Sequence, residues 1–173
     1  MPVVTDKQMK REWWKEAQRN ARMKAKPVTD VLRQIHDIEQ RTGMRLPNKQ
    51  MAEIMSDTAT YSKLPTQEAR DHHRENFDDV KADLIKEWGN QLGMKWPTYE
   101  RDVYSRRGNV YLHAGDNYDA HEIRPNAYGG PLKWWNLVPV NRSKHQSGIH
   151  TKGSVHYQAY PDLYKHKGRK RKK

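Results

Sequence analysis

Apolar residues recur at helical spacing through the first ninety or so residues of the chain. Within residues 5–24 they return at every fourth position, which predicts a helix that begins at Thr5 or Asp6. The members of this stripe are Met9, Trp13, Ala17 and Ala21. A chain that opens with such a pattern is expected to begin with packed helices rather than with a sheet.

Three further helices are predicted after Pro27. The second helix is expected to start with Thr29 or Asp30 as its N-cap and to end at Gly43. A short helix follows Pro47, and the longest helix covers residues 66–93. The residues expected to face inward are Val31, Ile35 and Ile38 in the second helix, and Phe77, Val80, Leu84, Ile85 and Trp88 in the longest one.

The pattern changes from Tyr99 onward, where Gly, Pro, Asn and aromatic residues replace the helix formers. Residues 107–123 predict two short strands around an Ala-Gly-Asp-Asn turn, and residues 135–140 predict another strand. Residues 141–150 are expected to form a short helix that Gly148 disturbs. The predicted fold class is therefore α+β: a helical region over 1–95, a small mixed module over 99–160, and a disordered basic tail over 161–173.

Composition supports a folded chain with a thin core. Only 34% of the 173 residues are hydrophobic, but six Trp and nine Tyr supply the large buriable side chains that disordered chains lack. Cysteine is absent, which excludes disulfides, thiolate zinc sites and cysteine nucleophiles. No apolar run is long enough for a signal peptide or a membrane span, so an exported form would need a signal on a parent chain or a carrier.

The formal charge of +12 is concentrated near the end of the sequence. Residues 131–173 hold eleven of the 33 Lys and Arg residues and a single acid, Asp162. Such a field attracts polyanions and provides phosphate contacts that do not depend on sequence. A solubilising surface is the simpler interpretation, but the clustering favours nucleic acid as the partner over a membrane.

Metal-competent residues collect within residues 120–153. His121, His145 and His150 offer three imidazoles, a donor type that suits zinc, nickel and related ions, and three protein ligands leave a position open for catalysis. Glu122 follows His121 and is placed to accept a proton from an attacking water. Asp116 and Asp119 either support a ligand histidine or belong to an exposed turn.

The segments "HEIRPNAYGG" and "WNLVPVNRSKH", followed by "IH", resemble the His-Asn-His endonuclease motif of the ββα-metal fold. The similarity is greatest to colicin-type DNases and to polymorphic bacterial toxin nucleases of the endonuclease VII-like group. It covers about thirty residues, including Pro125 and the Gly129-Gly130 pair.

The resemblance implies roles for individual residues. His121 would be the first metal ligand, with His145 and His150 completing the set. Glu122 stands where many relatives carry the general-base histidine, and Asn136 resembles the residue that ties the loop and aims the catalytic pair. The last two histidines are five positions apart where colicin-type relatives use four, so His150 is expected to depend on a kink at Gly148.

The sequence thus predicts a metal-dependent endonuclease that cuts DNA with little sequence specificity. One divalent ion (Zn, Ni, Mg or Mn) is the expected cofactor. The expected nucleic-acid-binding residues are Arg124, Lys133, Arg142, Lys144 and Lys152. A bacterial toxin acting in the cytoplasm of a target bacterium, with an acidic immunity protein as partner, follows from the resemblance alone. An RNase toxin and a non-catalytic nucleic-acid-binding module with a structural metal stay open as alternatives.

One histidine pair and one tryptophan pair are interpreted without a role in metal or nucleic-acid binding. His72-His73 resembles a metal pair, but neighbouring residues on a helix point in different directions, which favours a surface feature. Trp134-Trp135 is expected to pack in the small core beneath the following strand rather than to stack on bases.

Overall fold

A computed structural model describes residues 6–22, 26–160 and 163. The predicted start at Thr5 and the predicted tail over 161–173, apart from Leu163, lie outside the described residues. The side chains of Ala17 and Ala21 lie outside them as well. The described part combines helices with two small sheets, which confirms the α+β class.

Four helices come first in the chain: α1 (Asp6–Arg22), α2 (Lys26–Thr42), α3 (Asn48–Ser56) and α4 (Gln67–Leu92). Their ends follow local chemistry. The Thr66 hydroxyl accepts a hydrogen bond from the Ala69 amide at the start of α4. Gly43 and Gly93 end α2 and α4 at φ +72° and +61°, values that glycine adopts without a steric penalty.

The predicted start of α2 was wrong. The helix begins at Lys26, so Thr29 and Asp30 lie inside it rather than at its cap. Pro27 is tolerated because the first turn of a helix leaves its N–H groups without intrahelical acceptors. The predicted apolar stripe is confirmed, since Val31, Ile35 and Ile38 are at most 2% exposed.

Two antiparallel sheets of two strands each follow the helices. β1 (Val103–Tyr104) pairs with β2 (Val110–Leu112), and β3 (Asp119–Glu122) pairs with β4 (Leu137–Val140). The two strands predicted around the Ala-Gly-Asp-Asn turn are therefore β2 and β3, but each pairs with a different partner. β4 continues into α5 (Arg142–Lys144), a π-helical turn (His145–Ile149) and α6 (Val155–Ala159).

The β3–β4 ribbon is the centre of the fold because helices pack on both of its faces. On one face, Val138 and Val140 join an apolar cluster with α2 and α3. On the other face, Leu137 and Ala120 pack against a cluster with α4 that includes Trp134, as expected for the Trp134-Trp135 pair. Both clusters join helices to the ribbon. The division into a region over 1–95 and a module over 99–160 stays a prediction. None of the described helices is long and apolar enough to cross a membrane.

Candidate metal centre

The pairing of β3 with β4 sorts the candidate residues onto two faces. Side chains directly opposite each other in a ribbon share a face, and successive residues alternate. His121 is opposite Val138 and Asp119 is opposite Val140, so both candidates lie on the face toward α2 and the π-helical turn. Glu122 is opposite Leu137 and faces α4.

Three predicted ligands converge on the first face. His121 Nδ1 lies 3.1 Å from His145 Nε2, and His150 Nε2 lies 2.9 Å from the same atom. One nitrogen from each ring falls within 4.8 Å of the other two. Nitrogens bound to one zinc ion at about 2.0–2.1 Å in tetrahedral geometry stand about 3.3–3.4 Å apart, so the three rings lie close to the spacing that a shared ion needs.

The five-residue spacing of His145 and His150 is accommodated by the π-helical turn. In an α-helix, residues five positions apart point about 140° away from each other. Here the His150 amide donates to the His145 carbonyl oxygen at 3.1 Å, which is the i to i+5 pattern of a π-helix. This wider turn brings both rings to one side, and it extends over five residues rather than forming a kink at Gly148 alone.

Asp119 sets the orientation of the His145 ring. Its Oδ2 lies 3.1 Å from His145 Nδ1, and Arg142 donates to its Oδ1 at 3.0 Å. Burial would raise the pKa of Asp119, but the hydrogen bonds from Arg142 and His145 outweigh it and lower that pKa. Because Asp119 holds His145 at Nδ1, the other ring nitrogen, Nε2, is the one that faces His121 and His150.

The site favours neutral imidazoles. Burial lowers the pKa of His121 well below its usual range, and neighbouring histidines lower it further. Burial also lowers the pKa of His150 to about 4 and that of His156 to about 3. Neutral rings are the form that binds a divalent cation, and the nitrogens that face one another are His121 Nδ1, His145 Nε2 and His150 Nε2. The residues present therefore fit a divalent metal ion.

On the other face of β3, Glu122 is held by Asn126. The Asn126 amide donates to Glu122 Oε2 and its Nδ2 donates to Oε1, both at 2.9 Å. Arg74 on α4 lies 3.4 Å from the same carboxylate, whose side chain is 11% exposed. Burial raises the pKa of Glu122 to about 7 even though Arg74 lowers it. His73 Nδ1 lies 2.7 Å from Asn126 Oδ1, so His73 contacts this network. His72 is exposed.

Asn136 joins the two ends of the loop between the strands. Its Oδ1 accepts a hydrogen bond from the Arg124 amide at 2.9 Å, and its Nδ2 donates to the Arg124 carbonyl at 3.0 Å. The same loop passes so close to itself at Gly130 that a Cβ there would lie 1.9 Å from the Arg124 carbonyl oxygen. Only glycine fits at such a contact.

The predicted nucleic-acid-binding residues differ widely in position. Lys133 and Lys152 are exposed. Arg142 pairs with Asp119, which raises its pKa, and Tyr99 and Tyr111 lie near enough to contribute. Lys144 Nζ donates to the Thr42 carbonyl at the end of α2. Arg124 is 8% exposed in its side chain, 3.5 Å from Asp57 and stacked on Tyr61, so its guanidinium is engaged in internal contacts.

The structure also places two residues at the site that the sequence argument had not selected. The His156 ring lies 5.0 Å from that of His121 and 4.7 Å from that of His150. His73 reaches the Glu122 network through Asn126. Asp116, by contrast, accepts a hydrogen bond from the His113 amide in an exposed turn. The sequence spacing of His156, His73 and Asp116 does not show which of them reach the site. Their contacts depend on tertiary packing.

Comparisons with known proteins connect the chain to two bacterial proteins. A protein named Toxin YxiD from Bacillus subtilis (strain 168) is 43% identical over 123 residues, covering 68% of this chain and 21% of that protein. A protein named Probable deoxyribonuclease RhsB from Dickeya dadantii (strain 3937) is 35% identical over 82 residues, covering 47% of this chain and 5% of that protein. No protein-family model and no solved structure matches the chain.

The chain spans about a fifth of the first relative and about a twentieth of the second. The two names nonetheless agree with the predicted similarity to bacterial toxins and to nucleases, which is confirmed at that level.

Proposed function

We propose that this chain is a metal-dependent endonuclease of the ββα-metal type that hydrolyses phosphodiester bonds in DNA. The observation that carries the proposal is the convergence of His121, His145 and His150 at one end of an antiparallel ribbon and the helical turn that follows it. The name of the relative RhsB, a probable deoxyribonuclease, supports DNA as the substrate.

The three histidines would hold one divalent ion (Zn, Ni, Mg or Mn), and Asp119 would orient His145. When bound, such an ion polarises the scissile phosphate and stabilises the leaving oxygen. Three protein ligands leave a position open for substrate, which suits catalysis better than a closed structural site.

Glu122 is proposed to accept the proton of the attacking water. Its pKa of about 7 supports this role, because a general base works best when its pKa lies near the operating pH. Glu122 ends β3, so a phosphate lying across that end of the strand can contact side chains from both faces. Asn136 positions the loop through its two bonds to the Arg124 backbone.

Lys133, Arg142, Lys144 and Lys152 are proposed to contact the sugar-phosphate backbone, which gives cutting with little dependence on sequence. Arg124 is proposed to support the loop rather than to contact nucleic acid, since Asp57 and Tyr61 contact its guanidinium. The relative named a toxin supports a role as a delivered bacterial toxin. By extension from the resemblance to toxin nucleases, an acidic immunity protein would neutralise it.

Plasmid nicking tests this function directly. The wild type, His121→Ala and Glu122→Ala would be compared with Mg, Mn, Ni and Zn and with EDTA. We expect nicking that needs metal and is lost in both variants. Loss in His121→Ala alone would move the general base away from Glu122. If no DNA is cut, transfer RNA is the next substrate. If neither is cut while EDTA greatly lowers the melting temperature, a structural metal replaces the catalytic one.

A further inference from the structure

The β1–β2 hairpin carries an unusual amount of exposed aromatic surface. Tyr104 is 61% exposed and Tyr111 is 47% exposed. Over residues 7–15, 31–160 and 163, whose side chains are described, only Met94 and Leu163 are other large hydrophobic side chains with comparable exposure. These two tyrosines differ from the other described Trp, Tyr and Phe residues, which are buried or half-buried.

Two arginines occupy the tip of this hairpin. The Gly108 amide donates to the Ser105 carbonyl at 2.9 Å, and the Ser105 amide donates to the Asn109 carbonyl at 2.8 Å. Gly108 makes this tight turn possible with φ +80°. Arg106 and Arg107 therefore sit at the central positions of the turn, where both are exposed, and neither forms an ion pair with a described residue.

The acids of the hairpin are at its other end. Asp102 Oδ1 accepts a hydrogen bond from the Ala114 amide at 2.8 Å, and Asp116 Oδ2 accepts one from the His113 amide at 2.7 Å. Both carboxylates thus bind backbone donors away from the tip. Positive charge is therefore concentrated at the tip, where no described acid forms an ion pair with either arginine, and this charge is complementary to a polyanion.

An irregular register exposes the second tyrosine. Val103 is opposite Leu112 while Tyr104 is opposite Val110, so Tyr111 is an extra residue in β2. A bulge of this kind re-aims a side chain and occurs often beside functional sites. Leu112 is buried, so the hairpin is anchored on one side and presents its tyrosines on the exterior.

The base of the hairpin is attached to the metal centre. The Tyr99 hydroxyl accepts a hydrogen bond from the Arg142 amide at 2.9 Å, and the Tyr99 and Tyr118 rings are 4.9 Å apart. Tyr118 directly precedes Asp119, which contacts His145. A ligand bound along the hairpin would therefore extend toward the three histidines.

We propose that the β1–β2 hairpin is a DNA-binding arm in which Arg106 and Arg107 contact phosphates while Tyr104 and Tyr111 pack against bases. The choice of DNA rests on the proposed function. A two-stranded ribbon fits the major groove of a duplex, and aromatic side chains beside arginines stack on unpaired bases of a single strand.

The arginines are tested by DNA binding of the 173-residue chain in EDTA, which prevents cutting. Arg106→Ala/Arg107→Ala would be compared with Lys49→Ala/Lys86→Ala, which removes the same charge from exposed positions on α3 and α4. Fluorescence anisotropy with a 30-base-pair duplex would be measured at several salt concentrations. Each lost phosphate contact should make the negative slope of log K against log salt shallower by about 0.9 and weaken binding about eightfold at 0.1 M salt.

We expect the loss only in the arginine variant. Equal losses in both double variants would assign the effect to the overall field and overturn the proposal. Unchanged binding in the arginine variant would also overturn it and would leave the hairpin as a surface for a protein partner. Matching melting temperatures of all variants would establish that folding is intact.

The tyrosines are tested with a single-stranded 30-mer under the same conditions. Tyr104→Ala/Tyr111→Ala should weaken binding about fivefold or more per ring, whereas Tyr104→Phe/Tyr111→Phe should bind like the wild type because the rings are kept. Equal affinity of the Ala and Phe variants would remove stacking from the proposal. If the arm binds DNA but the wild type cuts none, the proposed function fails while this inference stands. If the wild type cuts and the arm variants bind normally, the inference alone fails.

Discussion

The two faces of β3 carry chemistry of opposite kinds. On one face, His121 and Asp119 meet His145 and His150, and His145 Nε2 lies 3.1 Å from His121 Nδ1 and 2.9 Å from His150 Nε2. On the other face, both oxygens of Glu122 receive hydrogen bonds from Asn126, and Arg74 lies beside them. The first arrangement offers three closely spaced imidazole nitrogens, whereas in the second both carboxylate oxygens already accept hydrogen bonds from the protein.

This difference separates metal binding from proton transfer within the four residues of β3. Alternation along a strand places His121 and Glu122 on different faces, so changes at one need not disturb the other. Metal affinity should depend on the histidine face, and proton transfer should depend on the Glu122 face. The following substitutions break or sharpen that division.

The largest effect is expected from His150→Ala. It removes one of three ligands, and because loss of an outer partner alone typically costs 10- to 100-fold, the affinity for Zn or Ni should fall by more than about 100-fold. Isothermal titration calorimetry measures it, with His72→Ala on the exposed side of α4 as the matched control. Unchanged affinity in His150→Ala would mean that metal is held elsewhere.

Gly130→Ala should disturb both faces together. The added Cβ would lie 1.9 Å from the Arg124 carbonyl oxygen, to which Asn136 also binds. Overpacking against backbone should lower the free energy of unfolding by about 3 kcal/mol or more. Urea denaturation would compare it with Gly148→Ala, where the nearest atom is Arg41 Cβ at 3.7 Å and the change should stay within about 1 kcal/mol. Equal stabilities would contradict the close loop contact.

Glu122→Gln should separate proton transfer from metal binding. We expect the single-turnover rate of plasmid cutting to fall about 100-fold, because a positioned general base contributes at least that much. Metal affinity should stay within about threefold of the wild type, since the altered atom lies on the opposite face. Glu75→Gln on the exposed side of α4 is the control. A fall in metal affinity like that of His150→Ala would contradict the division between the faces.

Asp119→Asn should produce the smallest of these effects. It weakens the hold on His145 Nδ1 and should reduce metal affinity about 10- to 100-fold. Asp116→Asn is the matched control, because the Asp116 carboxylate accepts its hydrogen bond from the His113 amide in an exposed turn and the change should leave metal affinity unchanged. Calorimetry on both variants decides which of the two acids supports the site, and equal affinities would remove Asp119 from it.

Much of the helical part could be predicted because its signals are local. The spacing of Val31, Ile35 and Ile38 reports one face of a helix directly, and Gly43 marks an end that needs positive φ. The start of α2 was missed because Thr29 and Asp30 are good caps but also tolerable inside a helix.

The sequence predicted which residues form the candidate site better than it predicted how they are arranged. His121, His145, His150, Glu122 and Asn136 came from a motif, and the structure brings the three histidines together as that motif implied. The exclusion of cysteine chemistry needed only the composition. The burial of Arg124 and the presence of His156 beside the histidines were outside the reach of such reasoning.

By itself, then, the sequence determined the four leading helices, the strands β2, β3 and β4, the positive charge and the set of metal-competent residues, whereas β1 and α6 were not predicted. Tertiary structure decided that β3 pairs with β4 rather than with β2, that a π-helical turn aligns His145 with His150, and that Asp119 rather than Asp116 supports the ring. The physical reason is the distance along the chain over which each signal acts. Helical periodicity and turn chemistry act over a few residues, whereas strand pairing and buried polar contacts join positions far apart in the sequence. Only the packing of the whole chain selects those contacts.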